Sequence, residues 1–162
     1  FSVRSYFGAL KNYEGLYGFT WASREYPANY QAMLWLKAQP PGAIVEADGD
    51  SYTDYEQFSM FTGRPTVVGW AVHEWLWRGS YDAVSPRRDE VRTIYESADL
   101  EETRRILKQY SVRYIVVGKL EREKFTSLRE KKFTQLGSVV FRSGETVIYE
   151  VIDPSVPSGQ AN

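Results

Sequence analysis

The chain has no cysteine and a single histidine among its 162 residues. Disulfides, thiolate catalysis and cysteine-based zinc sites are therefore excluded, and so is any multi-histidine metal centre. Long apolar runs are missing too. The longest, Pro65 to Val72, falls far short of the ~18 residues that span a bilayer as a helix. Charge of one sign is also lacking, since 20 basic and 21 acidic residues leave a net charge of −1. No broad field draws in nucleic acid, and no polybasic block reads as a lipid-headgroup site. The short run Arg129-Glu130-Lys131-Lys132 ends an expected helix, where cations are favourable in any case, and reads as a solvated face. No phosphate loop, dinucleotide fingerprint, nucleophile elbow, zincin motif or kinase signature occurs, so nucleotide binding has no motif behind it. There is no signal peptide, and the chain opens on Phe1, which reads as a piece of something longer.

Aromatic residues are what the chain has in surplus. They make up 15% of it, enough to serve a large core or to recognise flat, sugar-like or interfacial surfaces. Residues 1–25 are rich in aromatics and glycine without a clear period, and read as an irregular lead-in segment. Residues 26–152 read as one α/β domain, and 153–162 as a polar tail. Within the domain, a helix is expected from Pro27 to Ala38, with Tyr30, Met33, Leu34 and Leu36 inward. A strand follows over Ala43–Ala47, a helix over Ser51–Thr62 and a strand over Thr66–Ala71. Next come helices over Arg88–Ser97 and from an Asp99 cap, then a strand over Val112–Val117 ended by Gly118. A charged helix from Glu121 to Gln135 and a hairpin around Ser143-Gly144-Glu145 close the domain. Alternating strands and helices imply a three-layer α/β sandwich: a mostly parallel sheet of about five strands with an antiparallel C-terminal hairpin.

In such sheets ligands bind beyond the C-terminal strand ends. Three of those ends carry chemistry here. The first presents Glu46, Asp48, Asp50 and Tyr52. The second presents Trp70, His73, Glu74, Trp77 and Arg78, with the only histidine and three of the five tryptophans in one short run from Gly69 to Gly79. The third presents Glu121. The closely spaced Glu46, Asp48 and Asp50 suit a divalent cation such as Ca²⁺ or Mg²⁺, the one candidate cofactor, or equally suit the cap of the next helix. His73 and Glu74 suit acid–base work, but neighbours in a chain point apart, and a hydrogen-bonding role that fixes the loop is the alternative. The tryptophans suit stacking on a sugar ring or wedging between sheet and helix. Arg78 suits a bidentate grip on carboxylate or phosphate, or an internal pair with Asp48, Glu46 or Glu121. A free hydrolase built on His73 lacks a nucleophile or metal set beside it.

The run Glu46-Ala47-x-Gly49-x-Ser51-Tyr52-Thr53, then Thr62-Gly63-x-Pro65-Thr66-Val67-Val68-Gly69-Trp70, His73-Glu74, Trp77-Arg78-Gly79, Tyr114-Ile115-Val116-Val117-Gly118 and Glu121-Arg122 resembles the C-terminal part of the YYY family. These are polytopic membrane proteins found in chloroflexi, archaea and other prokaryotes. The resemblance spans roughly Tyr26 to Val151; Ala71-Val72 and Trp75-Leu76 depart from it, standing where the pattern is more polar. The family looks related to the GT-C glycosyltransferases, which use lipid-phosphate-linked sugars. The resemblance implies an extracytoplasmic domain whose partner is its own transmembrane region. It implies a role in recognising a lipid-phosphate sugar or glycan acceptor through Tyr52, Trp70, His73, Glu74, Trp77, Arg78 and Glu121, with the catalytic carboxylate elsewhere. A non-catalytic scaffold or partner-binding module is the alternative.

Overall fold

The computed structural model describes residues 19–82 and 84–152. Two helices open it, α1 (Phe19–Glu25) and α2 (Pro27–Lys37). Pro27 sits in the first turn of α2, where a missing N–H costs nothing. Ala32, Met33 and Leu36 are buried, whereas Leu34, expected on the same face, is partly exposed. The open carbonyls at the end of α2 are taken by Arg64, whose Nη2 donates to Leu36 O at 2.6 Å and to Gln39 O at 2.8 Å. Strand β1 (Ala43–Val45) is followed by helix α3 (Gln57–Thr62) and helix α4 (Ala71–Arg78). Helices α5 (Ser85–Glu96) and α6 (Leu100–Gln109) lead into strand β2 (Val112–Val117). Helix α7 (Lys119–Lys124), a 3₁₀ turn (Glu130–Lys132) and the short α8 (Phe133–Leu136) precede the hairpin of β3 (Gly137–Ser143) and β4 (Thr146–Val151). Asp99 caps α6 as its sequence suggests, accepting from the N–H groups of Glu101 and Glu102 at 2.9 and 3.0 Å.

The sheet order is β1-β2-β4-β3. Only β1 and β2 pair in parallel; β2–β4 and β3–β4 are antiparallel. One face packs under α1, α2 and α3 through Phe19, Met33, Leu36, Ile44, Phe58 and Val116. The other packs under α5 to α8 through Val91, Ile94, Ile106, Phe125, Phe133 and Val147. The α/β sandwich and its C-terminal hairpin match the expectation; the sheet has four strands rather than five, and antiparallel pairs outnumber the parallel one.

The missing strand is Thr66–Ala71, reduced to a single parallel bridge between Thr66 and Ile44. Pro65 has no N–H to give, although its carbonyl accepts from Ile44 N at 2.9 Å. Three residues beyond the bridge, Gly69 N–H donates to Glu74 Oε1 at 2.7 Å, which turns the chain into α4 instead of along the sheet. Val67 and Val68 are buried all the same, so their apolar run reports burial, not a ladder.

Four other expectations are revised. Residues 19–25 of the lead-in form α1; the rest of the lead-in and the tail from 153 lie outside the described residues. The helix expected over 51–62 starts only at Gln57, behind an irregular stretch with Tyr52 at φ 64° and Glu56 at φ 62°. The helix expected over 121–135 breaks after Lys124, and Arg129 N–H donates instead to Tyr95 O at 2.9 Å. Lys132 is not part of a solvated face. It is buried, with Nζ 2.7 Å from Ser97 O and 3.2 Å from Thr103 Oγ1. Burial and the nearby Arg129 pull its pKa down to about 8. No helix among the described residues is long and apolar enough to cross a membrane.

Candidate functional site

The loop after β1 is organised by buried carboxylates. Glu46 Oε2 accepts from Phe58 N at 2.8 Å and Oε1 from Ser59 N at 2.7 Å, so it caps α3 from the neighbouring strand end. Glu121, in the first turn of α7 just beyond β2, accepts from Ala47 N at 2.8 Å and from Gly118 N at 2.7 Å. The second bond is half of a capping box, because Gly118 has no side chain to return it. Burial raises the pKa of both. Glu46 reaches about 7, against the bonds from Ser59 and Phe58 that favour its ionised form, and Glu121 adds to the rise. Glu121 is likewise raised by burial, against the bonds from Ala47 and Gly118. Asp48 is buried between two cations: Arg88 Nε lies 2.7 Å from Oδ2, and Lys124 Nζ 2.6 Å from Oδ1. Gly49 follows at a point of close approach, where a Cβ would come within 2.3 Å of the Tyr55 ring.

Above this floor stands a row of rings. Tyr52 meets Trp70 at 5.5 Å between ring centroids and His73 at 5.1 Å, edge on; its hydroxyl lies 3.2 Å from His73 Nε2. His73 lies 5.3 Å from Trp70 and stacks on Trp77 at 5.8 Å and 24°. His73 and Trp77 are one helical turn apart on α4, which places them on one face. That helix ends at Gly79 with φ 72°, a left-handed cap that glycine takes without strain. Tyr52 and Trp77 are each 84% exposed. A groove of about 470 Å³ runs along the row, between Trp70, His73 and Trp77 and the side chains of Ser59, Met60 and Arg78. Glu74 lines it too, and is held on both sides by Gly69 N–H and by Arg78 Nε at 3.0 Å.

The site residues read from the sequence thus divide. Trp70, His73, Glu74, Trp77 and Arg78 line the groove, and Tyr52 stacks at its edge. Glu46, Asp48 and Glu121 lie buried below and do not line it. Asp50 is exposed, and its carbonyl accepts from Thr53 Oγ1 at 2.6 Å. Asp48 therefore neither caps a helix nor faces a cation site; its two oxygens are spent on Arg88 and Lys124. Among the described residues no group of three or more acidic or histidine side chains could hold a metal ion. Arg78 pairs with Glu74, not with Asp48, Glu46 or Glu121.

One groove residue had no signal in the sequence. Glu56 is buried at the inner end, accepts from Gly49 N at 3.1 Å through Oε1, and leaves Oε2 without a hydrogen-bond partner. Burial raises its pKa to about 9, opposed by the Gly49 N–H and reinforced by Glu46 and Asp48, so it carries a proton at neutral pH. A glutamate in a left-handed backbone conformation is uncommon and sits where surrounding structure over-determines it.

No family model matches the chain, and no curated protein matches it. Among solved structures it is similar to the C-terminal globular domain of an oligosaccharyltransferase from Archaeoglobus fulgidus. The TM-score is 0.47 and the identity 14%, over 75% of this chain and 95% of that one. A likeness at that level assigns no residue a role.

Proposed function

We propose that this chain is a glycan-binding α/β domain belonging to a polytopic membrane protein of the YYY type, related to the GT-C glycosyltransferases. Its strand-end groove takes a sugar of a lipid-phosphate donor or of an acceptor glycan. The observation that carries the proposal is the groove itself: a half-buried indole at Trp70 and an exposed one at Trp77, beside convergent polar groups from Ser59, Glu74 and Arg78. Apolar walls with a few placed polar groups are the usual make-up of a small-molecule site. The placement on an extracytoplasmic face beside its own transmembrane region rests on the sequence motifs quoted for the family. The reading gives this chain recognition and leaves the chemical step to residues outside it.

A ligand-observed NMR screen of the domain against methyl glycosides, sugar phosphates and polyprenyl-phosphate analogues tests the reading. Saturable binding that is lost in Trp77→Ala and His73→Ala, with both folds intact, is the expected result. Turnover of a sugar-phosphate lipid by the domain alone contradicts it.

A second reading, a partner-binding scaffold, is favoured by one observation. The outward side of α4 exposes Val72, Trp75 and Leu76, the last at 61%. Contiguous exposed apolar side chains mark interaction surfaces. On that reading no sugar binds in the groove, and Leu76→Asp abolishes docking of the domain on the membrane-embedded part, read as lost cross-linking between the two in the full-length protein.

A further inference from the structure

On the other side of the Asp48-Gly49 turn from the aromatic groove lies a smaller, polar pocket of about 210 Å³. Arg88, Arg92, Lys124, Ser85 and Tyr81 line it, with Asp48 at its base. Its chemistry is lopsided. Asp48 has one oxygen on Arg88 and the other on Lys124, so each of its oxygens already accepts from a cation. Arg88 also donates to the Tyr81 hydroxyl at 2.9 Å, which orients that O–H group to donate onward. A guanidinium has five N–H donors, and only two of those on Arg88 are engaged. Arg92 has no hydrogen bond or ion pair among the described residues, and the Ser85 hydroxyl has no partner there either. Three cations face two carboxylates, Asp48 and the exposed Asp89, which leaves one positive charge over. The pocket thus holds more free donors than its acceptors, the Asp89 carboxylate and the remaining lone pairs of Asp48, and Asp48 fixes two of its cations in place before any ligand arrives.

We propose that this pocket binds a phosphate group. A tetrahedral anion with several acceptor oxygens uses the spare donors of Arg88, Arg92, Ser85 and Tyr81 together, and arginine forks match phosphate oxygens in pairs. The volume is below the roughly 300–1,000 Å³ of a site for a whole drug-sized molecule, which suits a headgroup rather than a sugar ring. The two pockets meet at one turn: Asp48 lines this one, and the next residue, Gly49, donates to Glu56 of the groove. A phosphorylated sugar spanning them would place its ring on the indoles and its phosphate here. That bridging rests on the groove reading above; the phosphate site itself does not.

The test is a titration of the ¹⁵N-labelled chain with inorganic pyrophosphate, glucose 1-phosphate, a short prenyl phosphate and a neutral methyl glucoside, at fixed ionic strength. Wild type is compared with Arg92→Glu and Trp77→Ala. Arg92 is exposed and unpaired, so its reversal leaves the fold alone. Saturable pyrophosphate shifts at Ser85, Arg88 and Lys124 are expected, weakened at least about tenfold by Arg92→Glu, unchanged by Trp77→Ala, and reduced by added salt. A prenyl phosphate that binds well above pyrophosphate marks a lipid-linked source; equal affinity marks a free anion. Non-saturating shifts spread over the surface, or binding indifferent to Arg92→Glu, overturn the proposal. Pyrophosphate binding here with no neutral-glucoside shift at Trp70 or Trp77 supports the phosphate site while sinking the glycan reading of the groove.

Discussion

The buried acids that follow β1 and β2 and the rings on and beside α4 stand in opposite relations to solvent. Glu46, Asp48 and Glu121 spend their oxygens on backbone N–H groups or on Arg88 and Lys124. They hold two strand ends and a helix start in register. Trp70, His73 and Trp77 touch chiefly one another and face an open groove. In the sequence both regions read as dense mixtures of acids and aromatics at strand ends. Burial sorts them: a carboxylate enclosed with two N–H donors is committed to the fold, whereas an indole left in water with a groove beside it is available to a ligand.

That contrast breaks most visibly at Glu121. Glu121→Ala strips the partners from two buried N–H groups, those of Ala47 and Gly118, and is expected to cost about 3 kcal/mol in urea unfolding. Trp77→Ala is the converse case. It leaves the unfolding midpoint nearly unchanged, because the side chain is almost fully exposed. It weakens glycoside binding at least about tenfold, or ~1.4 kcal/mol, by isothermal titration calorimetry.

Glu56 sharpens the comparison, being a buried acid that also lines the groove. Its folded pKa of about 9 stands above the ordinary 4.5, so the folded state keeps a proton that the unfolded state has lost. Stability contributed by that proton is complete below about 4.5 and falls as pH rises toward 9. Glu46 acts in the same direction, but only up to about 7. Glu56→Gln, a neutral isostere, is expected to flatten the decline above neutrality and leave the Glu46 part in place; urea midpoints across the range measure it. A decline as steep in the variant as in wild type contradicts the assignment. The smallest effect belongs to Arg78→Ala. Its pair with Glu74 is half exposed, and such pairs contribute roughly 0.5 kcal/mol or less. A thermal melt within a degree or two of wild type is expected, with the loss appearing in ligand affinity.

Much of this architecture is legible in the residues. Pro27, Asp99 and Gly118 mark element boundaries by local chemistry, and the hairpin follows from alternation around Gly144. Trp70 through Arg78 could be singled out as one cluster because their types are rare together, even though the run forms a helix and not a strand-end loop. What escaped was tertiary. Val67 and Val68 look like a strand because burial on both sides gives the same apolar run. Glu46 caps a helix 12 residues on, a distance at which no capping pattern is visible. Glu56 enters the groove through a positive φ that no neighbouring residue foretells. Lys132 is buried by carbonyls from α5 and its end, so its basic neighbours misrepresent it.

The most direct test of the division between folding acids and binding rings follows the indole N–H signals of Trp70, Trp75 and Trp77 by ¹⁵N NMR while a methyl glycoside is titrated into the wild-type chain. Saturable shifts at Trp70 and Trp77, with Trp75 unmoved on the outer side of α4, are the predicted result. Absence of any saturable shift, or movement confined to Trp75, would contradict it and make the outer face of α4 the working surface of the domain.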